Sequence, residues 1–167
     1  MKRNLCFAGL IFFCLVLQTT VLASLPHQLA KPDLVLIVVF YLGLSANPLP
    51  GAFLAFFSGF MMDIFSGSIF GVHTFSKTFI FFLTILIKDR FYARSPLFQV
   101  GAIVSFSAVE GVIIISILGL VAPLENLLPS FLLFIIPKSL ITGLVGPFCI
   151  GLIKRVPLLS QGAPIRQ

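Results

Sequence analysis

The segment GFMMDIFSGSIFGVHTFSK, residues 59–77, decides how this chain folds because it places charged side chains within apolar sequence. Asp63 and Lys77 stand on either side of the turn-forming residues Ser66–Gly71. Glu110 and Lys138 interrupt later apolar stretches in the same way. A charge in hydrocarbon is costly and is usually retained for a partner or a pathway, so we look for function at these four positions.

The composition indicates an integral membrane protein. The 167 residues are 59% hydrophobic and 10% charged, with a mean hydropathy of +1.16, whereas soluble domains carry about 25% charged residues. The length fits one compact helical bundle. The net charge is +6, but the basic residues cluster at the ends of apolar runs, as topology determinants and anionic-lipid contacts do. This pattern argues against a nucleic-acid partner.

Breaker residues divide the chain into six apolar runs, which predict an all-α bundle of six transmembrane helices. The predicted spans are residues 5–24, 33–46, 51–65, 72–87, 96–121 and 128–153, in a single domain 1–157 with a short cytoplasmic tail, 158–167. The first run also resembles a secretory signal, but a largely apolar run of 19 residues (Leu5–Ala23) is long for a signal core and right for a span.

The second and third runs are short and could form one bent helix. The positive-inside rule decides between the alternatives. With six spans and both termini in the cytoplasm, only Lys31 lies outside; the inner basic residues are Lys2, Arg3, Lys88, Arg90, Arg94, Lys154, Arg155 and Arg166. With five spans, the cluster at residues 88–94 would lie outside, against the rule.

The topology gives Glu110 and Lys138 similar depths near mid-membrane, on antiparallel spans. We therefore predict a buried ion pair between them. This pair could have the structural role of holding two helices of the bundle together, or it could belong to a ligand site or proton pathway. Both alternatives stay open at the sequence level.

Asp63 and Lys77 predict a second ion pair, across the turn between the third and fourth spans. His73 is close enough in sequence to add a hydrogen bond. No further His, Cys or carboxylate residues occur at metal-ligand spacing, so no metal site is predicted.

Small residues recur every four positions at Gly51, Ala55 and Gly59, on one narrow helix face that continues to Asp63. Such a face lets another helix approach closely. The approaching helix could belong to the same bundle or to a partner protein.

Signatures of catalysis are missing from the sequence, which contains no nucleophile elbow, zinc-binding His pair or phosphate loop. Cys6, Cys14 and Cys149 lie in apolar runs and are expected to be small hydrophobic side chains. The sequence therefore predicts a protein that is not an enzyme and needs no cofactor.

Three stretches resemble the MreD family of bacterial rod shape-determining membrane proteins. They are LQTT at residues 17–20, PDLVL at residues 32–36 and GFMMDIFSGSIFG at residues 59–71. Together with the length and predicted topology, the similarity covers most of the chain.

The resemblance implies a non-enzymatic scaffold in the inner (cytoplasmic) membrane of a bacterial cell, acting in cell-wall elongation. Its implied partners are MreC, which contributes a transmembrane helix, the MreB cytoskeleton and the RodA–transpeptidase peptidoglycan synthase, besides membrane lipid; a homo-oligomer is an open alternative. The implied fold is similar to the substrate-binding component of energy-coupling-factor transporters. The residues implied to have a structural role at the turn are Asp63, Ser66, Gly67, Gly71 and Lys77.

Two hypotheses for function follow. In the first, the chain is a scaffold whose first three spans, through Gly51, Ala55 and Gly59, receive the MreC helix. In the second, it is a small-molecule-binding subunit of a vitamin-type transporter, with a solvent-reachable cavity lined by Glu110 and Lys138.

Overall fold

The computed structural model describes residues 2–21, 31–67, 69–88, 95–120 and 128–160, and every element in these ranges is helical. The helices are α1 (Lys2–Val16, continued by a π-helical turn, Leu17–Val21), α2 (Leu34–Ser45), α3 (Pro48–Ser66), α4 (Val72–Lys88), α5 (Pro96–Leu118), α6 (Leu128–Lys154) and the short α7 (Pro157–Ser160). The predicted all-α class is therefore confirmed.

Four of the described segments are long and apolar enough to cross a membrane: Arg3–Thr20, Pro48–Ser66, Leu97–Leu118 and Ile135–Lys154. Helix α2 is equally apolar but has only 12 residues. At about 1.5 Å per residue it spans about 18 Å, well short of the hydrocarbon core of about 30 Å.

Helix α2 lies at the centre of the bundle. Ten of its 12 residues are buried, from Val35 through Gly43 and again at Ser45. A helix that is apolar on all sides must be covered by protein or by lipid. Here the other helices cover α2, whose only polar side-chain atoms are those of Tyr41 and Ser45.

Successive helices run antiparallel. Phe7 packs on Tyr41 while the Val35 amide meets Gln18, so α1 and α2 run in opposite directions. Phe40 of α2 packs on Phe106 of α5. Helices α2 and α3 are separate helices that reverse direction at Ala46–Asn47, as the six-run division predicts. Pro48 lies in the first turn of α3, where a missing N–H costs no hydrogen bond.

The C-terminal end differs from the sequence prediction. The segment predicted as a short tail begins with α7, in which Leu159 is buried and accepts a hydrogen bond from the Tyr41 hydroxyl; residues 161–167 lie outside the described ranges. Helix α6 continues through Pro137 and Pro147, as the single predicted span 128–153 requires.

The outer surface of the bundle is rich in large apolar side chains. Phenylalanines of α3 and α4 are strongly exposed, among them Phe53, Phe56, Phe65, Phe75 and Phe82. In a soluble protein such a surface would be an aggregation hazard. Here it is the surface expected to face lipid.

Candidate functional site: a buried cluster of four charges

Four charged side chains from four parts of the fold meet inside the bundle. Lys77 of α4 is the centre of the cluster, with its Nζ 2.8 Å from Asp33 Oδ2 and 2.8 Å from Glu110 Oε1. Lys138 Nζ of α6 lies 3.3 Å from the same Asp33 oxygen. The side chains of Asp33, Lys77 and Glu110 are fully buried. Two cations and two anions thus share one charge-balanced network.

Asp33 has a second role, as the N-terminal cap of α2. Its Oδ1 accepts a hydrogen bond from the Leu36 amide at 2.9 Å, which satisfies one of the free N–H groups at a helix start. Its own amide donates to Thr142 Oγ1 of α6 at 3.1 Å. Asp33 therefore fixes the start of the central helix to α4 and α6 at once.

The predicted direct pair between Glu110 and Lys138 is corrected by the structure. Both residues belong to the same cluster, but among the described ion pairs Glu110 contacts Lys77 and Lys138 contacts Asp33. The reason is that Lys77 and Asp33 lie closer and supply the opposite charges, at 2.8 Å from Glu110 and 3.3 Å from Lys138. Because α5 and α6 are antiparallel, Glu110 and Lys138 lie at a similar level in the bundle, but each forms its ion pair with another residue.

The cluster lies toward one end of the bundle. At about 1.5 Å per residue, Lys77 is about 8 Å from the start of α4 at Val72 and Glu110 is about 12 Å from the end of α5 at Leu118. By the same measure Lys138 is about 15 Å from the start of α6. Helix α2 consequently begins inside the bundle and runs only toward the opposite end.

Asp63 does not pair with Lys77, contrary to the second predicted ion pair. Its carboxylate instead accepts hydrogen bonds from the amides of Gly71, His73 and Thr74 at 2.9–3.0 Å, and from the Thr74 hydroxyl at 2.5 Å. These amides form the free start of α4. A carboxylate is favoured there by the free N–H groups and by the helix dipole.

The turn itself depends on two glycines. Gly67 has φ 62° and Gly71 has φ 96°, and this left-handed region favours residues without a Cβ. Gly67 ends α3, and Gly71 supplies one of the amides that bind Asp63. The Ser66 hydroxyl contacts the Asp63 carbonyl oxygen at 3.5 Å. Apart from Lys77, the residues predicted to be structural thus surround the same turn.

The small-residue face of α3 is used inside the protein. Gly51, Ala55 and Gly59 are all buried, and a Cβ placed on Gly59 would lie 2.5 Å from His73 O and from Thr74 Cα. The face therefore receives α4 of the same chain. Of the two alternatives, packing within the bundle is the one that the described residues display, and docking of a partner's helix on this face stays a prediction.

Asp33 was not among the residues predicted to carry function. Its position after Pro32, before an apolar run, predicts only the start of a helix. The signal that could have found it is the shortness of the second run, because a span too short to cross the bilayer must start or end within it. His73 adds the hydrogen bond expected at Asp63 through its backbone amide, while its Nδ1 lies 3.9 Å from Glu110 Oε1.

An apolar groove lies elsewhere, between the N-terminal halves of α1 and α3. Its lining residues are Asn4, Leu5, Ala8, Leu49, Pro50, Phe53 and Leu54. No residue of the charged cluster belongs to it. The groove opens on the exposed apolar surface around the bundle, where lipid or another transmembrane helix can reach it.

Three comparisons with known proteins were informative to different degrees. Curated proteins and solved structures each gave no match, whereas one family model agrees with the sequence resemblance. The family model described as "rod shape-determining protein MreD" matches residues 1–154 of the 167. The matched region includes the charged cluster, the α3–α4 turn and the groove. This chain therefore belongs to the MreD family of rod shape-determining membrane proteins.

Proposed function

We propose that this protein is a non-enzymatic scaffold of the cell-elongation machinery in the inner membrane, and that it binds the transmembrane helix of MreC. The observation that carries the proposal is the family match over residues 1–154. Through MreC the scaffold helps to organise peptidoglycan synthesis with MreB and the RodA–transpeptidase synthase.

The proposed topology has six passes through the membrane with both termini in the cytoplasm, and helix α2 covers only part of the second pass. Support comes from the alternating directions of α1 to α6 and from the basic residues that follow the ends of α4 and α6. In this orientation the α3–α4 turn and the charged cluster lie toward the outer face. An arrangement similar to the transporter substrate-binding component belongs to the same proposal.

The charged cluster supports a scaffold because it joins separate elements without offering a reactive group. Every charge in it is matched by an opposite charge at 2.8–3.3 Å. Removing one partner from such a network is strongly destabilising, since it leaves a buried charge unpaired. The cluster therefore holds α2, α4, α5 and α6 in one fixed arrangement.

The surface proposed for MreC is the groove between α1 and α3. Leu5 and Phe53 line it and are 78% and 70% exposed, so they contribute little to the core. Gly9 of α1, one residue beyond the groove-lining Ala8, has open space around its Cα. Large apolar side chains beside a small residue allow a second helix to pack closely.

Co-purification with co-expressed MreC tests the groove. The double variant Leu5→Ala/Phe53→Ala should remain inserted with an unchanged unfolding midpoint, but should recover at least about tenfold less MreC, the factor that a loss of about 1.4 kcal/mol in binding gives. The matched control is Leu144→Ala/Phe148→Ala on α6, whose side chains are 78% and 69% exposed. Equal recovery of MreC by both variants would exclude the groove as the docking surface.

A further inference from the structure

Beside the ion pairs, a group of polar atoms between α4 and α5 has no hydrogen-bond partner among the described residues. The atoms are His73 Nδ1, Ser107 Oγ and both carboxylate oxygens of Glu110, of which Oε1 is ion-paired with Lys77 and Oε2 is not. The Glu110 side chain is fully buried and Ser107 is 2% exposed. Leaving a buried donor or acceptor unpaired costs about 1–3 kcal/mol, so native proteins provide partners for nearly all of them.

The Ser107 hydroxyl differs from other hydroxyls on these helices. Ser105, Ser116 and Ser139 each donate to the carbonyl oxygen four residues earlier, at 2.6–2.8 Å. Ser107 is on the same helix as Ser105 and has the same option in principle. Its hydroxyl nevertheless makes no hydrogen bond among the described residues, so it is available to another group.

Helix spacing and one measured distance bring the three residues to the same place between α4 and α5. Ser107 and Glu110 are three residues apart on α5, so they lie on the same face of the helix. His73 Nδ1 is 3.9 Å from Glu110 Oε1, a separation that is too long for a direct hydrogen bond. A carboxylate oxygen, a hydroxyl and an imidazole nitrogen together offer both acceptors and donors.

We propose that these atoms bind a water molecule, bridged between Ser107 Oγ, Glu110 Oε2 and His73 Nδ1. Two to four polar partners are what a buried water requires. Lys77 neutralises the charge of Glu110 through the other carboxylate oxygen, at 2.8 Å, so the site takes a small neutral molecule and not a cation. The water completes the hydrogen bonding of Glu110 and couples His73, near the start of α4, to the ion cluster.

Ser107→Ala tests the site through the sign of its effect on thermal unfolding of the purified protein. If a water is bound, the variant removes one of its partners, and the unfolding midpoint should fall by about 2–4 °C, the shift expected for about 1 kcal/mol in a chain of this size. If the hydroxyl is unpartnered in a dry interface, its removal should leave the midpoint unchanged or raise it. Ser105→Ala, on an exposed turn of the same helix, is the control and should change little.

A direct structural measurement separates the remaining explanations. A density map that resolves ordered water should show a peak about 2.6–3.2 Å from both Ser107 Oγ and Glu110 Oε2. In the Ser107→Val variant the added methyl groups should displace that peak. A dry interface, or a Ser107 hydroxyl turned onto the carbonyl of Ile103, would overturn the proposal.

Discussion

Lys77 Nζ lies 2.8 Å from Asp33 Oδ2, which joins the start of the central helix α2 to the N-terminal half of α4. This contact explains how a helix of about 18 Å is held inside a six-helix bundle. The N-terminus of α2 would otherwise place free N–H groups among apolar side chains. Asp33 satisfies one of them, and Lys77 compensates the charge that Asp33 brings with it.

The two lysines of the cluster should differ in their effect on stability. Lys77 is fully buried and contacts both carboxylates, whereas the Lys138 side chain is 33% exposed and contacts one. We expect Lys77→Met to cost about 3–5 kcal/mol of unfolding free energy, the range for breaking a buried pair, and Lys138→Met to cost less. Thermal unfolding in detergent measures both, with Lys154→Met at the exposed end of α6 as control. Equal losses for the two buried-cluster variants would contradict the geometry.

Asp63 should be needed for the α3–α4 turn and not for the ion cluster. Asp63→Ala removes every acceptor for the amides of Gly71, His73 and Thr74, so we expect a loss of at least about 2 kcal/mol, at the upper end for a helix cap. Asp63→Asn keeps one oxygen and should lose less. Stability is measured by thermal unfolding, with the exposed Ser116→Ala as reference. A neutral Asp63→Ala variant would show that the turn is fixed by other contacts.

Gly59 should tolerate no side chain, because α4 occupies the space next to it. A Cβ would meet backbone atoms of His73 and Thr74 at 2.5 Å, and we expect Gly59→Ala to destabilise the protein by about 1–3 kcal/mol, as overpacking does. Gly101→Ala is the matched control: nothing lies within 4 Å of its Cβ position, and the better helix propensity of Ala should leave stability equal or up to about 1 kcal/mol higher. If Gly59→Ala instead folded normally and lost only MreC, the result would support the partner-docking role of this face.

The helices were predictable from the sequence because Pro, Gly and charge clusters interrupt the apolar runs clearly. The run predicted at residues 33–46 became Leu34–Ser45, and that at 72–87 became Val72–Lys88. Helix α3 was predicted to start at Gly51 but starts three residues earlier, at Pro48. Pro48 and Pro50 indicate a helix break by residue type, but the first turn of a helix accepts proline.

The partners of the charges were not predictable in the same way. Sequence spacing gives the depth of Glu110 and Lys138 but not the rotation of each helix about its axis. That rotation decides which charged side chains come into contact. The small-residue face of Gly51 and Gly59 has the same limit: its pattern indicates close approach of a helix, whichever chain that helix comes from. Asp33 was missed because it lies at a helix boundary and not inside an apolar run.

The central claim is that the buried charges are one structural unit, and a double-mutant cycle on Asp33 and Lys77 tests it most directly. Unfolding free energies would be measured for Asp33→Asn, Lys77→Met and the double variant, which leaves Glu110 and Lys138 as the remaining balanced charges. We predict that the double variant loses less than the two single losses combined, with a coupling energy of about 1–3 kcal/mol. Losses that simply add would contradict the claim, because they would mean that Asp33 and Lys77 act independently.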